Sequence, residues 1–393
     1  MTDNVSIFRR FKRLLIFLVV TLIDFAARSG KLETREKTLL LVRVDLIGDY
    51  VVFRNFIEVI KNSRKYCDYA ITLCGNVAWR ELAETFDGEF VDNFIWIDRE
   101  RLEKKLGYRF RVLREIARLG AGVAIQPTFS REFYHGDAIV RASRARERVG
   151  SVGDLSNSFR WQKLLADRYY TKLLPASPEN LFEFHRSKEF FEQLLGEPIP
   201  LARPSIQITA ERKRAFGAER LAVVFPGASG EAKRWHAGNF TEIAHHLSAR
   251  HGFRVVIAGA AHDGDLARRI MAEAPDDAID MTGKTTLSEL AALLASARLL
   301  VSNDTSAVHL ALAVDTRTVC VLTGSHFGRY APYPPTVSDR LVCVYPQEIA
   351  DIQANFAYLG EKYRNISSPL DINSISVETV KKVIDEVVKT IGN

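Results

Sequence analysis

From residue 38 onward the chain repeats one pattern: a short apolar run, an amphipathic stretch of helical period, then another apolar run. "TLLLVRV" (38–44) reads as a buried strand, and "YVVFRNFIEVIKNS" (50–63) as a helix with Val52, Phe56 and Ile60 spaced four apart. "YAITLC", "FIWID" and "GVAIQP" read as further strands, and "AWRELAETF" and "FRVLREIARLG" as the helices between them. Strands joined through helices run parallel, because the helix carries the chain back across the sheet. Parallel strands are covered on both faces, which is why these runs are continuously apolar. The pattern predicts an α/β protein built on open parallel sheets.

The rhythm lapses over 151–200, which is helix-rich and holds Pro175, Pro178, Pro198 and Pro200; "GEPIPLARPSI" (196–206) is the linker candidate. Alternation then restarts with "LAVVFPG", "NFTEIAHHLSAR", "RVVIAGA", "DLARRIMAEA", "TTLSELAALLASA" (a capping box at Thr286 and Glu289), "RLLVSN", "TSAVHLALAV" and "RTVCVLTG". With 393 residues, more than a single core accommodates, four segments are expected. These are an N-terminal helix (1–36), a Rossmann-like half (37–200), a second such half (206–370) and a closing helix (371–393). Two such halves place a cleft between their strand C-terminal edges, where open α/β sheets bind ligands.

Lys plus Arg exceed Asp plus Glu by 54 to 48, a mildly basic balance that suits acidic partners. No long basic tract supports nucleic acid, and none is expected as a partner. Cys67, Cys74, Cys320 and Cys343 form no CxxC pair and read as buried thiols, with no zinc site implied. The N-terminus carries Arg9, Arg10, Lys12 and Arg13 and then runs apolar from Leu14 to Ile23 before Asp24. That run is about half of the roughly 20 residues needed to span a bilayer. It predicts a helix lying in the interface of an anionic membrane; packing on the protein's own surface is the alternative.

Three loops carry candidate chemistry. In "LVSNDTSAVHLALAV" (300–314) a strand ends near Ser302 and a helix begins near Thr305, with Asn303 or Asp304 as the expected N-cap. The helix mouth favours an anion; Thr305 and Ser306 add hydroxyls, and His309 lies one turn on, on the same face. A capped helix with a core histidine is the other reading. In "FPGASGEAKRWHAGNF" (225–240) the small residues Gly227, Ala228 and Ser229 let backbone approach a ligand, and Lys233 supplies a point charge. A surface loop with a solvated basic pair is the other reading, and the spacing is not that of a Walker loop. In "RVDLIGDY" (43–50) Gly48 permits a tight turn and Asp49 sits at a helix mouth, where an ordinary N-terminal cap also explains it.

Together "RVDLIGD", "PGASGEAKRW" and "NDTSAVH" resemble the bacterial family 9 glycosyltransferases, best known as lipopolysaccharide heptosyltransferases, over roughly residues 38–330. The resemblance implies the GT-B architecture, with the acceptor on the first half and a nucleotide-sugar donor on the second. It also implies inverting transfer without a metal or other cofactor. By position, Asp49 resembles the general base and Lys233 the donor-phosphate contact. Asp304, Thr305, Ser306 and His309, with Gly227 and Ser229, resemble the donor pocket, and Asp263 or Asp265 the ribose contact. Arg43, Gly48, Gln126 and Arg131 are the acceptor-side candidates. The Asp-x-Asp pair 263–265 is read as capping and ribose contact rather than metal ligation.

Three departures stand out: Ser306 occupies a position where the family usually has glycine, "LTGSHFGRYAPYP" (322–334) replaces its commoner loop, and the basic-apolar N-terminal extension exceeds the compact family core. The implied activity is transfer of a heptose or related sugar to a lipopolysaccharide or other surface-glycan acceptor, lipid-linked in some form. The implied location is the cytoplasmic face of the inner membrane. A non-catalytic nucleotide-binding scaffold and a nucleotide-sugar epimerase of the same shape are the rival readings.

Overall fold

The computed structural model describes residues 2–30, 33–217, 220–363 and 368–391, with side chains from residue 15 onward. The basic side chains of Arg9, Arg10, Lys12 and Arg13 therefore lie outside the described residues. The strands are β1 (Arg35–Arg43), β2 (Ala70–Asn76), β3 (Asn93–Ile97), β4 (Ala121–Gln126), β5 (Glu147–Ser151) and β6 (Lys172–Leu174), followed by β7 (Leu221–Phe225), β8 (Arg254–Ile257), β9 (Ile279–Asp280), β10 (Leu299–Asn303), β11 (Arg317–Val321) and β12 (Leu341–Val344). They form two sheets, ordered β3-β2-β1-β4-β5-β6 and β12-β11-β10-β7-β8-β9. Every pairing between them is parallel.

Each sheet starts at its middle, winds to one edge, returns to the middle and winds to the other. The winding reverses between β1 and β4 in the first sheet and between β7 and β10 in the second, the two crevices where such sheets take ligands. The three chemistry-bearing loops follow β1, β7 and β10, so all three open at these reversal points.

Alternation along β1 separates its two covers. Leu39 and Leu41 face the helices Ile47–Phe53, Asn55–Asn62 and Glu183–Leu195, while Leu40 and Val42 face Leu106–Leu119 and Gly136–Ser143. The first of these apolar clusters continues into the second half through Leu293, Ala307, Leu310 and Ala311. The closing helix, Val377–Lys389, covers the outer face of the second sheet with Val380, Ile384 and Val387.

Several local readings change. The helix expected over 50–63 is two, Ile47–Phe53 and Asn55–Asn62. Four short strands at or next to the sheet edges escaped the pattern: β5 and β6 carry charge at Glu147, Arg148 and Lys172, β9 has only two residues, and β12 is a four-residue apolar run. The linker region is pinned to both halves: the Asn55 side chain accepts from Ser205 N at 2.8 Å, and Ile206 N donates to Ala313 O at 2.8 Å. All four cysteines are free thiols; Cys74 and Cys320 are buried, but Cys67 sits exposed on a turn.

The N-terminal helix runs from Thr2 to Ala27 and packs on Leu106–Leu119 with Val20, Asp24 and Ala27. Asp24, the residue that interrupts the apolar run, accepts a bidentate pair from the fully buried Arg109 at 2.6 and 2.8 Å. Losing one partner of such a pair costs about 3–5 kcal/mol, so this anchor fixes which face of the helix turns inward. Among the described residues no helix is long and apolar enough to cross a membrane.

Candidate functional site

The chain leaves β1 and enters the helix Ile47–Phe53 within a few residues. Asp49 is the third residue of that helix, and its Oδ2 accepts from Leu46 N at 3.2 Å. Its Oδ1 accepts from the Tyr330 hydroxyl at 2.5 Å, a bond that crosses from one half to the other. Gly48 has no positive φ, so the tight-turn reading is corrected; space is what it supplies. A Cβ there would lie 2.7 Å from His309 Cδ2, so the histidine of the second half packs directly on the Gly48 backbone.

Arg43, read as an acceptor contact, is fully buried and spends its charge inside the protein. Its Nε lies 2.8 Å from Asp45 Oδ2, its second amino group 3.7 Å from Glu183 Oε1, and its guanidinium stacks over Phe53. Asp45 also accepts from Thr128 Oγ1 at 2.9 Å. Burial pushes its carboxyl up; Arg43 opposes this and the nearby Asp49 charge reinforces it. Glu183 in turn pairs with Arg329 at 3.1 Å, so Arg43, Glu183 and Arg329 form a buried chain of charges tying the halves together.

Gln126 and Arg131 belong elsewhere. Arg131 is ion-paired with Asp137 and Asp167, and Gln126 accepts from the Tyr170 hydroxyl inside the same buried network. Both side chains are buried, and the charge of Arg131 is committed to these two carboxylates. A pocket of about 250 Å³ opens where Arg329 of the second half meets the first, lined by Phe129, Gly153, Asp154, Asn180 and Arg186 among others.

On the second half, the loop after β7 is held by Asn303. Its Nδ2 donates to Pro226 O and Gly227 O at 2.7 and 3.3 Å, and its Oδ1 accepts from Trp235 N at 3.3 Å. Asn303 is therefore a staple rather than a helix cap. The cap is Thr305, whose hydroxyl accepts from Ala307 N, and the helix is Ser306–Ala313. Asp304 points across to Lys233, Oδ2 to Nζ 3.1 Å, with both side chains about a quarter exposed. Ser229 is exposed at the loop tip, and Ser306 is half-buried at the helix mouth.

Asp263 is buried beneath the same loop. It accepts from Ala260 N at 3.0 Å, and a Cβ on Gly227 would lie 2.5 Å from its Oδ2. Gly227 thus makes room for a carboxylate. Asp265 stands in solvent, paired with Arg268, so the two acids of 263–265 do not converge. Among the described residues metal-ligand spacing occurs at His246, His251 and Asp385, between Ala237–His251 and Val377–Lys389.

His309 is where the three loops meet. It is buried, its Nδ1 lies 2.8 Å from the Tyr333 hydroxyl, and it feels the charges of Asp304, Asp49 and Lys233. Burial is the largest influence and holds its pKa below the ordinary imidazole value, so the ring is neutral near pH 7. Sequence reasoning missed Tyr330, Tyr333, Asp45 and Glu183. Asp45 was visible within "RVDLIGD"; nothing in the spacing signals that residues 330 and 49 touch.

A profile described as Glycosyltransferase family 9 (heptosyltransferase) matches residues 164–353. The lipooligosaccharide heptosyltransferase 2 of Haemophilus influenzae is 30% identical over 166 residues, 38% of this chain and 46% of that protein. The corresponding Salmonella typhimurium protein is 30% identical over 42% of its length, so the chain matches a little under half of these relatives. A Campylobacter jejuni serotype O:2 lipooligosaccharide heptosyltransferase 2 is 30% identical over 239 residues, 54% of this chain and 73% of the relative. Among solved structures, a glycosyl transferase family 9 protein from Veillonella parvula superposes with TM-score 0.69 at 19% identity, over 92% of this chain and 99% of that one. The E. coli ADP-heptose lps heptosyltransferase II gives TM-score 0.65 at 16% identity, over 90% and 99%. At these identities the likeness speaks for the fold, the paired parallel sheets of GT-B. With the Campylobacter relative matched across most of its length, the chain belongs to glycosyltransferase family 9.

Proposed function

We propose that the chain is an inverting, metal-independent glycosyltransferase that moves a heptose or related sugar from a nucleoside-diphosphate donor to a lipopolysaccharide or surface-glycan acceptor. In this reading the segments 37–200 and 206–370 are the acceptor and donor domains. The relatives' names and the ADP-heptose analogue named with one E. coli structural neighbour support the donor class. The observation that carries the reading is that the Gly48–Asp49 turn packs on His309, whose helix opens beside the Lys233–Asp304 pair, so three loops from two sheet-reversal points meet.

Asp49 takes the proton of an acceptor hydroxyl, and that oxygen attacks the anomeric carbon from the face opposite the diphosphate. The new carbon–oxygen bond forms as the bond to the diphosphate breaks, and the electron pair leaves with the nucleoside diphosphate. Lys233 and the free amides at Thr305 and Ser306 meet that growing charge, supplying the countercharge a metal provides in other transferases. Asp304 holds the lysine at the helix mouth until the diphosphate arrives. Asp263 acts from beneath Gly227, shaping the loop that faces the nucleotide; Asp265, in solvent, is the weaker ribose candidate.

The test is a thermal-shift panel of nucleoside diphosphates and nucleotide sugars, followed by product analysis with and without acceptor. A ligand at 100 times its Kd stabilises by about 2.7 kcal/mol. Glycoside formed only with acceptor supports transfer. Product from donor alone indicates an epimerase, and binding without turnover a scaffold.

A further inference from the structure

The inward face of the N-terminal helix is fixed by Asp24, and its outward face is apolar. Leu15, Leu18, Leu22 and Phe25 are spaced three or four apart along one stripe and are about half to two-thirds exposed. Charged or polar residues are the rule on the solvent side of a surface helix. A second apolar element stands beside it: in the helix Arg160–Asp167 and the residue before it, Phe159, Trp161 and Leu164 are exposed at 59%, 47% and 63%. The two are joined, because Phe17 meets Trp161 edge to face at 5.1 Å. Two exposed apolar patches thus lie on neighbouring elements, of the kind that marks an interaction site.

Arginines rim it. Arg111, Arg114 and Arg118 line a groove against Ala26 and Ser29 at the end of the N-terminal helix. Arg114 and Arg144 donate to the last carbonyls of that helix, Ala27 O at 3.1 Å and Arg28 O at 3.1 Å. Burial first, and then the like charges of Arg141 and Arg144, lower the pKa of the Arg28 guanidinium. An apolar stripe with a basic rim complements lipid tails beside phosphate headgroups.

We propose that the N-terminal helix and the helix Arg160–Asp167 together seat the protein on an anionic bilayer, as one two-element face. The seat borders the cleft. Asn157 and Ser158, just before the second helix, bond to Ser130 O and Arg131 O at 2.9 and 3.0 Å, in the loop that leaves β4 at the sheet reversal. Trp161 also packs on Phe133, next to the Glu132–Arg99 pair whose arginine donates to Val44 O beside Asp45. Seated this way, the acceptor half faces the lipid surface. That consequence, which rests on the transfer reading, makes the acceptor an amphiphile presented by the bilayer; the seat itself does not depend on it.

The experiment uses the full chain and sedimentation with vesicles of phosphatidylcholine alone or mixed with phosphatidylglycerol. Binding to the mixed vesicles should exceed binding to the neutral ones by roughly fivefold for each arginine engaged. Leu22→Asp and Trp161→Asp should each cut vesicle binding at least tenfold with circular dichroism unchanged, and Leu164→Asp, at a more exposed position of the second helix, should do so with the melting temperature unchanged as well. Trp161 emission should shift to the blue and be quenched by brominated lipid, and Trp161→Phe should abolish that response. Wild-type protein left in the supernatant with mixed vesicles overturns the proposal, as does self-association through this face without lipid. If Trp161→Asp leaves binding intact, the two-element seat is overturned. Transfer to a water-soluble acceptor reports on the catalytic reading separately, so the two failures are distinguishable.

Discussion

The Tyr330 hydroxyl donates to Asp49 Oδ1 at 2.5 Å, so a phenol from one half covers a carboxylate of the other. The remaining oxygen of Asp49 accepts from Leu46 N, so each oxygen already holds one donor and Tyr330 stands on the side facing the second half. Burial, and then the Asp49 charge, push the phenol well above its ordinary pKa, so it stays protonated and a donor. An acceptor hydroxyl therefore competes with Tyr330 for the base. Tyr330→Phe is expected to raise kcat/KM for acceptor up to about tenfold, the lower end of a hydrogen bond to a charged group. Asp49→Asn is expected to lower kcat by about 10²- to 10⁴-fold with nucleotide binding retained. Steady-state kinetics on both variants checks this; near-full activity of Asp49→Asn removes the carboxylate from the mechanism.

Gly48→Ala tests the contact on the other side of the same turn. The added carbon would sit 2.7 Å from the His309 ring, which is itself wedged against Tyr333. Overpacking of this kind costs about 1–3 kcal/mol. The melting temperature should fall accordingly, and His309→Ala in the same chain should recover part of the loss. Strict additivity of the two substitutions would show that the residues do not meet in solution.

How far the sequence carried this picture follows from what each residue answers to. Leu39 to Val42 must be buried on both sides whatever else happens, so β1 and the sheet class were legible from apolarity alone. The three loops were legible as well, because glycine, capping hydroxyls and a lone lysine at a strand end are local signals. The pairing of Arg131 was illegible for the opposite reason: an arginine looks the same in sequence whether it awaits a ligand or is paired with Asp137 and Asp167. Asn303 was read as a cap because capping is local, whereas its partners Pro226 and Gly227 lie more than 70 residues away in the chain. Tyr330 had no signal at all, since its role depends on how two separately folded sheets face each other.

Lys233→Ala should act on the donor rather than on the fold. The Lys233–Asp304 pair is partly exposed and so contributes little to stability on its own. Facing a diphosphate, the same ammonium makes charge-assisted bonds worth about 1.5–3 kcal/mol, or roughly 10- to 100-fold in affinity. Titration with a nucleoside diphosphate should show that loss, with the unliganded melting temperature within a degree or two of wild type. Lys233→Arg should restore part of the affinity because the charge remains. Unchanged affinity in Lys233→Ala would move the phosphate site away from this loop.

The neutral His309 predicts a pH dependence with a definite sign. Burial and the Lys233 charge lower its pKa, Asp304 and Asp49 oppose them, and the net effect is downward. In the unfolded chain the ring takes up its proton near pH 6.5, whereas the folded protein resists protonation until the pH is lower. Below about 6.5 the unfolded state therefore binds more protons, and stability falls as the pH drops through that window; above it the contribution is complete and flat. A tenfold difference in proton affinity between the two states is worth about 1.4 kcal/mol. His309→Gln removes this titration, so the loss of melting temperature between pH 7.5 and 5.5 should be smaller in the variant than in wild type. Equal losses in the two proteins would mean that the ring protonates freely where it sits, and so is not sealed between Gly48 and Tyr333.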